Sequence, residues 1–123
     1  MENKKFLDSL MGLLAINSVA YVDADEAHPY GKAVSQALEY VLNLGEELGM
    51  RTVNRDGKIA WIEIGEGEEI VGVLGHLDIV PIGEGWTHNP LGEVCGDKLY
   101  GRGTSDDKGP TLAALFAMKD LLD

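Results

Sequence analysis

The sequence predicts an α/β fold, a mixed β-sheet flanked by helices, and three patterns carry that expectation. Apolar residues recur at helical spacing over residues 3–15 and again over residues 31–48. Two β-prone runs flank Asp56-Gly57, a strong two-residue hairpin signal. A continuous apolar run, Ile70-Val71-Gly72-Val73-Leu74, then leads into a glycine-rich region and a last helix.

In the first helix Phe6, Leu7, Leu10, Leu13 and Leu14 share one face. Lys4-Lys5 before Phe6-Leu7, with Ser18-Val19-Ala20 downstream, imitates a leader peptide, but Asp8 interrupts the apolar core such a leader needs. Residues 17–30 read as a polar loop. The second helix sets Val34, Leu38, Val41, Leu42 and Leu48 on one stripe and stops at Gly49. Residues 51–55 and 58–64 form the hairpin strands. Residues 70–76 are expected as a central strand buried on both faces. Residues 79–98, with Gly83, Gly85, Pro90, Gly92 and Gly96, read as a long irregular loop, a length usually tied to function. Leu99-Tyr100 suggests a short strand, and Pro110 suits the first turn of a helix over residues 111–122. That helix is apolar nearly all round, and the chain ends at Asp123 without a stop signal. The expectation is an N-terminal portion, residues 1–123, of a catalytic domain whose remainder is absent.

Composition narrows the function. The 123 residues hold 21 acidic against 10 basic side chains, a formal charge of −11. That balance disfavours nucleic acid and anionic membrane as partners. No apolar run reaches the length of a membrane span. Cys95 is the one cysteine, so no intrachain disulfide forms and a cytoplasmic location is expected, with Cys95 as a small buried filler.

The chemistry lies in two segments. In Gly75-His76-Leu77-Asp78 the histidine and aspartate are two apart on an extended chain, so their side chains point the same way. Asp78 can then accept the Nδ1 proton of His76 and leave Nε2 for a metal. By itself this pair fits a strand-end histidine beside a loop aspartate at least as well. The second segment runs from Gly101-Arg102-Gly103 through Asp106-Asp107-Lys108-Gly109. It sets carboxylates before a helix N-terminus, where Asp107 reads as a cap and Asp106 as a carboxylate free to bridge two cations. His88 reads as an exposed loop histidine, and His28, before Pro29, carries no ligand spacing.

These residues, together with Gly85-Trp86, Pro90 and Leu99-Tyr100, resemble the dinuclear zinc metallopeptidases, the family of aminoacylase and the Xaa-His dipeptidases. Trp86-Thr87-His88 and Asp106-Asp107-Lys108-Gly109-Pro110 look most similar to the bacterial dipeptidase V branch, which is carnosinase-like. The resemblance implies that His76 ligates one zinc, that Asp106 bridges two, and that Asp78 is an active-site carboxylate orienting His76. It also implies a cis peptide after Asp106 and hydrolysis of dipeptides by metal-activated water. The family's general-base glutamate and remaining ligands have no counterpart here, since residues 110–123 contain neither glutamate nor histidine. The chain by itself is therefore expected to be inactive, and its apolar last helix suggests self-association. N-acyl amino acids are the alternative substrate within that chemistry, and a non-enzymatic acidic binding domain is the alternative outside it.

Overall fold

The computed structural model describes residues 3–122. Along the chain come α1 (Asn3–Leu14), α2 (Lys32–Glu47), β1 (Arg51–Arg55), β2 (Ile59–Glu63), β3 (Glu93–Cys95), β4 (Lys98–Tyr100) and α3 (Lys108–Leu122). The α/β class holds, and the fold is built on the two amphipathic helices that the spacing predicts.

Helical period decides the core. Leu10, Leu13 and Leu14 of α1 meet Ala37, Val41 and Leu44 of α2 and Leu112, Leu115 and Phe116 of α3 in one buried cluster. Phe6 packs edge-on against Phe116 with ring centroids 5.4 Å apart. The three helices close an apolar centre, and burying each large aliphatic chain contributes about 1.5–3 kcal/mol.

The hairpin forms where the turn residues place it. Asp56 and Gly57 both take positive φ, 58° and 69°, which matches the twist of two paired strands. β1 and β2 run antiparallel with Arg51 opposite Glu63 and Val53 opposite Trp61. Asn54 Oδ1 accepts the Gly57 N–H at 2.9 Å and steadies the turn.

Three expectations need correction. Residues 70–76 are not a strand and are not buried: Val71 is 97% exposed, and Ile70, Val73 and Leu74 are also largely exposed. A central strand needs a hydrogen-bonding neighbour on each edge. Among the described residues the hairpins pair only with themselves, and the one ladder contact nearby is the parallel bridge between Val19 and Ile79. The long loop is less irregular than expected, because residues 93–95 pair with residues 98–100 as a second hairpin, Glu93 opposite Tyr100. Cys95 is exposed rather than buried, since it sits at the tip of that hairpin. In addition, α3 starts three residues earlier than its apolar pattern suggests, at Lys108.

Lys108, the first residue of α3, reaches back to α1. Its side chain is 0% exposed, and Nζ donates to Leu13 O at 3.0 Å, in the last turn of α1, and to Ile16 O at 2.7 Å, just past that helix. A cation there meets the negative end of the α1 dipole. Burial pushes the Lys108 amine down to about 8. Among the described residues, no helix is long and apolar enough to cross a membrane.

Because Leu13 is fully buried between the helices, Leu13→Ala is expected to lower unfolding free energy by about 2–5 kcal/mol, read from the urea midpoint. A loss below about 1 kcal/mol would contradict this account of the core.

Candidate active site

His76 stands at the end of the uncovered extended segment, yet the backbone on either side of it is fixed. On one side lies Ser18, which is fully buried: its Oγ donates to Leu77 O at 2.6 Å, and its carbonyl accepts the Ile79 N–H at 3.0 Å. On the other side the His76 N–H donates to Asp107 Oδ2 at 3.1 Å, and the Thr111 hydroxyl donates to the same oxygen at 3.0 Å. Asp107 precedes α3, where a cap is expected. Its carboxylate, however, serves the Thr111 hydroxyl and the His76 amide. Close approach requires glycine at position 75, since a Cβ there would lie 2.4 Å from Thr111 Oγ1.

This clamp sets three charged side chains together. His76 Nδ1 lies 3.0 Å from Asp78 Oδ1 and 3.2 Å from the Asp78 carbonyl, while Nε2 lies 3.0 Å from Asp106 Oδ1. His76, Asp78 and Asp106, singled out from sequence, thus meet at one imidazole ring. The Asp106–Asp107 peptide is cis, as the resemblance implies. His76 is half exposed, and the Asp106 side chain is 85% exposed, so the ring edge and carboxylate open to solvent.

Burial of His76 by itself would lower its pKa. The hydrogen bond to Asp106 and the charges of Asp78 and Asp107 oppose that and raise it overall. With a carboxylate at each nitrogen, the protonated form of the ring can donate to both. A divalent cation suits this anionic surround for the same reason the proton does. Imidazole nitrogen and carboxylate oxygen are ordinary zinc donors, and a carboxylate on Nδ1 is the usual orienting partner of a ligating histidine. His76 and Asp106 therefore fit two positions around such an ion. Among the described residues, no group of three or more His, Cys, Asp or Glu side chains is placed to hold one.

The other histidines have local partners. His88 is half-buried rather than exposed: it stacks on Tyr100 at 3.7 Å between ring centroids and shares a short hydrogen bond with Glu93. His28 pairs with Asp25 at 2.8 Å. The long loop is clasped to the turn before Asp106 by Arg102, whose Nη2 donates to Ile82 O at 3.0 Å and whose guanidinium lies 5.2 Å from the Trp86 ring centre. Sequence reasoning missed Ser18, Thr111 and Lys108. The i, i+4 spacing of Asp107 and Thr111 across a helix start was the one available hint.

The raised pKa gives a direct expectation for the metal-free chain. An NMR titration of the His76 ring should have its midpoint above the ordinary 6.5. Asp106→Asn should bring that midpoint down. The stabilisation from the charged ring is complete below the unfolded value and is lost as pH rises through the raised one. A midpoint at or below 6.5 in the unmutated chain would contradict the doubly bonded ring.

Known proteins share sequence and fold with this chain. Residues 72–123 match Peptidase family M20/M25/M40. A Bacillus subtilis (strain 168) protein named "Putative dipeptidase YtjP" is 46% identical over 112 residues, covering 89% of this chain and 24% of that protein. A Staphylococcus saprophyticus protein of similar name is 44% identical over 117 residues, covering 94% of this chain and 25% of its own length. The crystal structure of human carnosine dipeptidase 1 shares the fold, with a TM-score of 0.70 at 24% identity, over 94% of this chain and 28% of that one. The chain spans about a quarter of the length of the curated relatives it matches. Residues 72–123, the segment that holds both the His76-x-Asp78 pair and Asp106, are thus the part of this chain that is similar to Peptidase family M20/M25/M40.

Proposed function

We propose that this chain supplies the first part of the metal centre of a zinc-dependent dipeptidase. One observation carries the reading: His76 Nε2 and Asp106 Oδ1 face each other at 3.0 Å while Asp78 occupies Nδ1. His76 and Asp106 would hold zinc, two ions per complete site, with Asp106 offering an oxygen to each. Asp78 holds the Nδ1 proton, which fixes the tautomer and leaves the Nε2 lone pair for the metal. Zinc supplies Lewis acidity toward a peptide carbonyl and toward water. Asp107 keeps the His76 backbone, and with it the ring, in place.

Dipeptides with a free amino terminus are the proposed substrates, supported by the names of the relatives. N-acyl amino acids are the alternative within the same chemistry. A reducing cytoplasm suits the exposed Cys95. The 123 residues alone are proposed to be inactive, because two donors do not complete a zinc site.

Zinc titration of the chain should give a Kd weaker than about micromolar, and His76→Ala should abolish it. No dipeptide turnover should be seen with the chain alone. Transplanting the chain in place of the matching quarter of the Bacillus subtilis relative should give a dipeptide hydrolase that chelators silence. In that hybrid, His76→Ala should cost about 10³-fold or more in kcat/KM. A hybrid that keeps its activity after His76→Ala would refute the reading, and one that cleaves only N-acyl amino acids would favour the alternative.

The last helix, whose apolar pattern suggests self-association, packs Leu112, Leu115 and Phe116 into the core. Self-association with a second copy is proposed instead through the exposed apolar residues 70–74, with which no strand pairs among the described residues. Sedimentation should show a concentration-dependent dimer that Val71→Lys with Val73→Lys disperses. A monomer at all concentrations would refute it.

A further inference from the structure

We propose that Lys108 is a positioning residue for the facing pair of His76 and Asp106, acting from the far side of the turn that carries Asp106. A lysine at the first position of a helix is poorly placed by electrostatics, because the dipole there repels a cation. A fully buried lysine also loses its hydration. Lys108 accepts both penalties. What it gains is a two-point attachment to Leu13 O and Ile16 O, more than 90 residues away in sequence.

The attachment extends to the turn itself. A Cβ on Gly103 would lie 3.1 Å from Lys108 Cδ and 3.4 Å from Cγ, so the lysine stem runs directly against the turn backbone. The Gly109 N–H donates to Gly103 O at 3.1 Å and closes residues 103–109 into a loop. A Cβ on Gly109 would lie 1.9 Å from Thr104 O, which marks how tightly the two limbs of the loop meet. Asp106 projects from this loop. Asp107 holds the loop to the His76 segment, and Lys108, the next residue, holds it to the end of α1. With both anchors made, the Asp106 backbone has little freedom to turn its carboxylate away from the imidazole. An apolar side chain of the same length would fill the space and leave two buried carbonyls unpaired.

Only the zinc part of the test rests on the metal-centre reading. The 123-residue chain, labelled with ¹⁵N, is compared with Lys108→Met and Lys108→Arg. Without metal, Lys108→Met should move the His76 Nε2 resonance to the value seen in Asp106→Asn, and Lys108→Arg should restore it. With zinc added as the probe and read on the His76 ring, Lys108→Met should weaken binding about tenfold or more, and Lys108→Arg about threefold or less. A folded Lys108→Met chain whose Nε2 resonance and zinc affinity both match the unmutated protein overturns the inference and leaves Lys108 a stabilising residue only. Should Lys108→Met not fold, Lys108→Gln takes its place under the same two outcomes. If the unmutated chain binds no zinc at His76, the metal-centre reading falls, while the metal-free Nε2 comparison still decides the role of Lys108.

Discussion

The hydrogen bond from the His76 amide to the Asp107 carboxylate, 3.1 Å long, joins two parts of the chain that lie 31 positions apart. One part is an extended segment with no strand partner among the described residues. The other is the start of a helix packed into the core. Asp107 is bonded to Thr111 within α3, so it is a rigid acceptor rather than a mobile surface carboxylate. Through that contact the order of the helical core reaches His76. Asp106 and Asp78 can face one ring because the backbone of the ring is held first.

The same arrangement shows how a small core sustains an exposed site. The three helices bury a continuous set of Leu, Val, Ala and Phe side chains, whereas Val71 and Leu74 stand almost wholly in water. Hydrophobic burial therefore does nothing to hold residues 70–74 down, and only beyond His76 does Leu77 pack against the core and Ile79 become buried. Polar contacts to Ser18 and Asp107 fix the His76 backbone between these two stretches. Both anchor residues are tied to the helical core, Ser18 by being fully buried and Asp107 by bonding Thr111 of α3. Net hydrogen bonds of about 1 kcal/mol each suffice only when the acceptors are already fixed.

Charge completes the picture. Three aspartates, at positions 78, 106 and 107, surround one imidazole in a chain of formal charge −11. Like charges this close repel, and a cation between them relieves that cost. In the metal-free chain protonation of the ring relieves the same cost, which is why the His76 pKa is raised. Lys108 lies in the same stretch, but its cation is directed away from the aspartates onto the carbonyls that end α1. The site therefore remains anionic despite a lysine two residues from Asp106.

Much of this was legible in the residues. Helical spacing located α1 and α2, Asp56-Gly57 fixed the first hairpin, and the two glycine-flanked motifs named His76, Asp78 and Asp106. Each of these is a local signal, carried by period, turn stereochemistry or side-chain type within a few positions. What the sequence by itself determined was the set of elements and the donors they carry. Tertiary structure alone decided that residues 70–76 lie uncovered, that the Asp107 carboxylate clamps the His76 amide instead of capping α3, and that Lys108 is buried against the C-terminal end of α1. Those outcomes depend on which groups more than 30 residues apart come within hydrogen-bonding distance. No periodicity encodes such meetings, because they follow from how the helices pack and which strand edges find a partner.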